Sequence, residues 1–314
     1  MSAIAQLEKP PSGEAWAVIR GAIDMHVHAG LDVIARRLDD VELARDFLDH
    51  GLGGFVLKSH YVPTAERAAA VGRAVPGLMV AGSLTLNHAV GGLNPAALEV
   101  AARLGARVVW MPTVDAANEW VNRRPGAPPP AWGAFHDQMR SRRGYPSPIS
   151  LLDERGHLVG PAVECLEIVA AYGMVLATGH VGRDEIFALT TCAREQGVTR
   201  LIVTHAEFTT VDLGAQDQVE LARRGAVIEH CYTTPYTAKT TWETVFANLR
   251  ATGAEAAVIS TDLGQVANPP AADGLADFAD HLLHAGFSPD DVRQMAVVNP
   301  AHLIGVSASG PESP

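Results

Sequence analysis

The sequence predicts an α/β fold, an eight-stranded (β/α)8 TIM-like barrel, and three observations carry that prediction. Eight short apolar, β-branched runs alternate with eight helical stretches rich in Ala, Leu, Arg and Glu. Strand–helix alternation implies parallel pairing through right-handed crossovers, and eight such units are the number that closes a barrel. No Gly-rich loop follows the first run, as the competing open doubly wound sheet would usually have.

Taken in order, the strand runs are 22–28, 54–58, 78–84, 107–111, 174–178, 201–205, 226–230 and 257–262. The helical stretches are 40–49, 64–74, 95–104, 161–171, 183–195, 216–224, 241–252 and 289–303. Their ends carry the expected punctuation. Asp39 caps the first, Asn94-Pro95 opens the third, and Gly51, Gly105, Gly173, Gly197, Gly225 and Gly253 close others. Residues 1–21 read as an N-terminal extension, 22–306 as the barrel, and 307–314 as a flexible Ser/Pro/Gly-rich tail.

One connection, residues 113–160, is far longer than its neighbours. It holds Pro125, Pro128, Pro129, Pro130, Pro146 and Pro148, and near its end 149–153 and 157–159 flank Glu154-Arg155-Gly156 as a small hairpin. It follows strand four, so it lies on the C-terminal face, where barrel active sites sit. It reads as a lid or pocket wall, against the plainer reading of a surface insertion.

Composition narrows the function. The 314 residues are 47% hydrophobic and 19% charged, enough for an unstapled core. With 24 basic and 35 acidic residues the net charge is −11, which argues against nucleic-acid and anionic-membrane partners. Cys165, Cys192 and Cys231 are odd in number and form no C-x-x-C, so neither a disulfide framework nor a cysteine zinc site is expected. The first sixteen residues lack the apolar core of a signal peptide, and no run approaches a membrane span. A cytoplasmic protein acting on a small molecule is expected, with homo-oligomerisation left open. Lysine is scarce: Lys9, Lys58 and Lys239 stand against 21 arginines, so the place of each lysine is informative.

The chemistry gathers at strand ends. In Asp24-Met25-His26-Val27-His28, period two puts Asp24, His26 and His28 on one face and Ile23, Met25 and Val27 on the other. The apolar set suits the helices, so both histidines are expected to point inward. The fifth run ends at His180, the sixth at His205 and the eighth at Asp262. Four imidazoles and a carboxylate at strand ends suit one or two divalent ions, Zn first, with Mn, Fe or Ni as alternatives. A lone strand-end histidine is more often a hydrogen-bonded rim residue. The set of five is what points to metal.

In that order, His26-Val27-His28, His180, His205 and Asp262, with the closing Asn299-Pro300-Ala301-His302-Leu303-Ile304-Gly305, the sequence resembles the amidohydrolase superfamily of metal-dependent hydrolases. The resemblance spans about residues 23–305. It implies a distorted α/β barrel, a metal-activated water and Asp262 as proton shuttle, hydrolysing an amide, cyclic amide, lactone or ester. The sequence departs from the family at strand four. Val108-Val109-Trp110-Met111 holds neither the lysine nor the glutamate that bridges two metals in binuclear members.

Strand two instead ends in Lys58, on the inward face with Val56. Three readings stand: a carboxylated lysine bridging two metals, an ammonium binding an anionic substrate, or a rim lysine paired with Glu207. His60 shares its parity but lies past the strand and is not read as a ligand. One of Glu229 and His230 is expected to face the mouth and orient a ligand. Trp110, Tyr61, His88 and Tyr232 are expected to contact substrate. Rival readings are a mononuclear decarboxylase or hydratase of the same superfamily, a phosphoesterase opening with the same Asp-x-His-x-His, and a non-catalytic binding barrel.

Overall fold

The computed structural model describes residue 7, residues 9–122 and residues 131–307. Pro125, Pro128, Pro129 and Pro130 of the long connection, the tail beyond 307, and most of the first eight residues lie outside the described residues.

Eight strands form one parallel sheet in chain order: β1 (Ile23–Val27), β2 (Gly54–Leu57), β3 (Met79–Thr85), β4 (Ala106–Trp110), β5 (Val175–Ala177), β6 (Leu201–Val203), β7 (Val227–Cys231) and β8 (Ala257–Ser260). Helices in chain order are α1 (Gly13–Val18), α2 (Asp40–Asp49), α3 (Ala65–Ala74), α4 (Pro95–Arg103), α5 (Ala117–Val121), α6 (Ala131–Arg140) and α7 (Gly160–Tyr172). They continue as α8 (Arg183–Glu195), α9 (Ala215–Arg223), α10 (Thr233–Tyr236), α11 (Trp242–Thr252), α12 (Ala271–His284), α13 (Pro289–Arg293) and α14 (Asn299–Ile304). The sheet curls into a nearly closed barrel. Its seam is drawn together just past the strands, where the Asp262 amide donates to the His26 carbonyl and the His28 amide to the Leu263 carbonyl, both at 2.8 Å.

The strands alternate as a barrel requires. Met25, Val56, Ala81, Val108, Trp110, Val175, Ala177, Ile202 and Val258 pack on one another inside. Phe55, Leu57, Val109, Leu176, Val203 and Ile259 pack outward against helices. Among the described residues no helix is long and apolar enough to cross a membrane.

Two expectations are corrected, and two segments gain detail. β1 is not a plain period-two strand: Asp24 pairs with Phe55 but Val27 with Leu57, so one extra residue bulges between them. Ile23 and Met25 therefore face the interior, only Val27 of the apolar set faces the helices, and the bulge restores the phase that turns His26 inward. The helix after β8 is α12, whereas 289–303 is α13, a π-helical turn (Gln294–Val298) and α14. Gly274 lets α12 approach the barrel, since a Cβ there would lie 2.2 Å from the Leu263 side chain. The N-terminal extension carries α1, tied to α12 by Ser12, whose amide and hydroxyl donate to Asp280 at 2.7 and 2.6 Å. The 113–160 connection is not irregular throughout. It carries α5, α6 and a minimal hairpin in which Leu152 bridges Leu158.

Candidate functional site

Backbone geometry at the strand ends aims the site residues. His205 and Asp262 sit at φ 28° and 52°, a left-handed conformation that is uncommon for non-glycine residues and that persists where surrounding structure enforces it. Gly179, at φ 66°, precedes His180, and a Cβ there would meet the Met111 carbonyl oxygen at 2.4 Å. Asp24 clamps the bulge. It accepts from the His26 amide at 3.0 Å and the Thr261 amide at 3.1 Å, and from the Thr261 hydroxyl. Burial pushes its carboxyl up to about 7 against the pull of those bonds.

Around this frame the ionisable groups converge. Asp262 Oδ1 lies 3.2 Å from both His26 Nε2 and His28 Nε2. Lys58 Nζ lies 2.7 Å from His26 Nε2 and 5.0 Å over the Trp110 ring. The His205 ring stands 5.8 Å from His26 and 4.8 Å from His180. Behind the imidazoles stand carboxylates. Glu229 Oε2 faces His26 Nδ1 at 3.2 Å and accepts from the His205 amide at 3.0 Å. Glu119 Oε2 faces His180 Nδ1 at 3.1 Å and accepts from the Thr210 hydroxyl at 2.6 Å. Arg36 reaches within 3.4 Å of His28 Nδ1 while held by Asp32.

Burial decides the charge states. It holds the His28, His60 and His205 imidazoles well below their usual range and lowers His180 despite Glu119. For His26, burial and Lys58 push down, but Asp262 and Glu229 outweigh them and its pKa rises. Burial would raise Asp262, yet His26 and His28 hold it well below the carboxylate range. Burial brings Lys58 down to about 8, against Asp262 and Glu229.

This donor set fits a divalent cation. The ligand atoms of His26, His28 and Asp262 lie within 4.8 Å of one another, close to what two bonds of about 2.1 Å span. Burial keeps the His28, His180 and His205 imidazoles neutral with lone pairs to offer, Asp262 is ionised, and the buried His205 Nδ1 has no hydrogen-bond partner among the described residues. A second group, His26, Glu229 and Cys231, uses the other His26 nitrogen. Burial raises the Cys231 thiol well above its usual range.

His28, Lys58, His180, His205 and Asp262 line a cavity of about 490 Å³ at the C-terminal mouth, with His26 just behind them. Its walls come from the loops after β1, β2, β6, β7 and β8. The four residues expected to contact substrate are placed as follows. Trp110 is buried beneath Lys58 and His26. Tyr61 packs edge-on to Phe135. His88 binds the Ser147 carbonyl at 2.8 Å. Tyr232 donates to Asp277 at 2.7 Å on the helix side. Among the described residues none of the four lines the cavity, nor does any residue of the 113–160 insertion. Glu207 is not the partner of Lys58; it binds His230 at 2.9 Å, Asn248 at 2.8 Å and Gln218 at 3.1 Å.

Sequence reasoning passed over His60, which lines the cavity with its ring 5.1 Å from His28. It also passed over Arg36 and Glu119. Strand parity pointed to His60; nothing in the local sequence pointed to Glu119, which the insertion carries back to His180.

Fold and site together define a class: α/β barrels that gather imidazole and carboxylate groups at the C-terminal mouth. The chain belongs to the family of unknown function DUF6282, whose model matches residues 21–229. No curated protein matches it in sequence. Among solved structures it is similar in fold to an amidohydrolase from Pseudomonas aeruginosa, at 14% identity and TM-score 0.56, covering 92% of this chain and 98% of that one. A probable dipeptidase from the same organism gives 10% identity and TM-score 0.61, covering 93% and 96%. An organophosphorus hydrolase from Deinococcus radiodurans gives 15% identity and TM-score 0.55, covering 96% and 100%. The likeness extends over nearly the whole barrel, as the resemblance read from the strand-end residues implies.

Proposed function

We propose that the chain is a metal-dependent hydrolase of a small molecule, acting on an amide, cyclic amide, lactone or ester. The observation that carries this reading is one ionised carboxylate oxygen, Asp262 Oδ1, held 3.2 Å from two imidazole nitrogens at the floor of a cavity. His26, His28, His180, His205 and Asp262 would hold one or two ions, zinc being the first candidate for such ligands. A divalent ion there supplies Lewis acidity, which makes water nucleophilic near neutral pH and polarises the oxygen of the bond under attack.

The chain's own residues do the rest. Glu229 and Glu119 fix the ring orientation of His26 and His180, leaving the far nitrogen of each ring turned to the site. Asp262 accepts the proton of the attacking water and returns it to the leaving group, a role a carboxylate can reverse within one cycle. The hydroxyl of Thr233 donates to Asp262 Oδ2 at 3.1 Å and holds the carboxylate in that orientation.

Lys58 is read as carboxylated. Its neutral amine adds to CO₂ and loses a proton, giving an anionic oxygen ligand on β2. Its place beside His26 supports this, because an ammonium 4 Å from a cation costs about 4 kcal/mol per unit charge at an effective dielectric of 20. Trp110 at the end of β4 favours a second reading, a one-ion decarboxylase or hydratase, since that strand offers no bridging carboxylate. Metal counting on the wild type and Lys58→Ala, with a parallel hydrolysis and decarboxylation screen, tests both. Two ions falling to one with hydrolysis supports the first. One ion throughout, with CO₂ release, replaces it.

A further inference from the structure

The cavity has a second pole. Arg36, Lys58 and Lys239 line it, with Asp262 as its one carboxylate among the described residues. Arg36 is bound to Asp32, and Lys58, read above as carboxylated, lies against His26. Lys239 has no acidic partner among the described residues; its Nζ rests 4.8 Å over the Phe208 ring. In a chain of net charge −11 the acidic groups are in surplus, and Arg67 and Arg183, for example, are held by Asp40 and Asp217. The Lys239 ammonium is thus available to an occupant of the cavity. Of the three lysines in the sequence, two line this one cavity.

The backbone is shaped to deliver it. Lys239 follows Ala238, a non-glycine residue at φ 54°, and its amide closes back on the Thr234 carbonyl at 2.9 Å. This turn ends the loop after β7, and the same loop supplies Thr233 to Asp262. Phe208 spans the two poles, its ring 4.6 Å from the His205 ring and 4.8 Å from the ammonium. Ile34, Ala35, Val266 and Ala267 add apolar side chains to the lining. An occupant that satisfies this lining has a polar reacting end at Asp262, a short apolar middle and an anion at Lys239.

Resting on the hydrolase reading, we propose that Lys239 recognises the substrate, and that the substrate is a small amide, lactone or ester bearing a free carboxylate remote from the bond under attack. A carboxylate fits better than a phosphate because one ammonium matches a single charge. The neighbouring Thr237 hydroxyl already donates to the Thr233 carbonyl, so the several donors that a phosphate dianion takes are not assembled.

The test is calorimetric titration of the protein as purified, its metal content measured, with glutarate and with its uncharged analogue glutaramide. Glutarate binds about tenfold more tightly, the gain of one charge-assisted contact. Lys239→Met removes that preference while metal content and melting temperature stay at wild-type values, and Lys239→Arg keeps most of it. A preference unchanged in Lys239→Met overturns the proposal, as does inorganic phosphate displacing glutarate at lower concentration. If the charge preference depends on Lys239 but no ester, lactone or amide is hydrolysed, only the hydrolase reading fails. If hydrolysis is found and the preference ignores Lys239, only this inference fails.

Discussion

Two clusters of histidine and carboxylate belong to the loops above the barrel strands, and they differ in what they leave over. In the insertion, Asp115 accepts from the His88 amide and the Tyr145 hydroxyl, each at 2.9 Å, and pairs with His136 Nε2 at 3.0 Å. Donors are gathered around one acceptor, and the cluster is a knot that fastens α6 and the 145 region to the loop after β4. At the mouth the balance is reversed. Four imidazoles, most held neutral by burial, bring lone pairs toward one another and toward an ionised Asp262. Acceptors outnumber the protons available to share, and a cation is the natural complement. Residue types alone do not separate a structural cluster from a working one; the ratio of donors to acceptors does.

Breaking the mouth produces the largest effects. Chelation abolishes turnover and lowers the melting temperature, and atomic absorption finds about 1–2 equivalents of a divalent transition metal beforehand. Undiminished turnover in metal-free protein removes the site assignment. Next comes Asp262→Asn, which leaves the fold intact and lowers kcat by roughly 10²–10⁴. A wild-type kcat with a full metal complement rules out the shuttle. Glu119→Gln acts through His180 and weakens metal affinity by about 10–100-fold in a competition assay with a chelator. An unchanged affinity means that the insertion does not serve the site.

The knot responds in the opposite pattern. Asp115→Asn costs about 1–3 kcal/mol of stability and leaves metal content unchanged. Burial would raise the Asp115 carboxyl, but His136, the His88 amide and Tyr145 together hold it below the usual range. A carboxyl depressed in the folded state stabilises fully above its unfolded value, and that stability is lost as pH falls through the folded value. Melting curves of wild type and Asp115→Asn therefore differ at neutral pH and converge as pH drops below about 3.9. A gap that persists in acid means that the pairing is not what Asp115 contributes.

Most of the barrel was legible because its strands are short apolar runs and its helices are closed by glycines, and period and punctuation are local signals. His28, His180, His205 and Asp262 were legible for the same reason: each sits where a run ends. What escaped depends on the third dimension. The β1 bulge shows only when β2 is laid beside it, so the face of Met25 was misread while that of His26 came out right. Helix α12 carries Gly274 and five polar residues, Asp273, Asp277, Asp280, His281 and His284, among its apolar ones, and the later 289–303 stretch took its place in the reading of the sequence. Glu119 precedes His180 by sixty-one residues, and no spacing rule links them. Trp110, Tyr61 and Tyr232 are placed by chain position, which does not fix their neighbours: the Trp110 ring lies under Lys58, the Tyr61 ring packs on Phe135, and the Tyr232 hydroxyl donates to Asp277.

The seam of the barrel has a consequence for synthesis. The first strand is fastened to the last by Asp24 and Thr261, which are 237 positions apart, and by the Asp262 amide on the His26 carbonyl. A ribosome-bound chain presents His26 and His28 early, but their carboxylate partner emerges only when most of the polypeptide has been made. Every shorter translation product lacks the residue that joins seam and chemistry. Closure of the barrel and assembly of the His26, His28 and Asp262 cluster are therefore the same event.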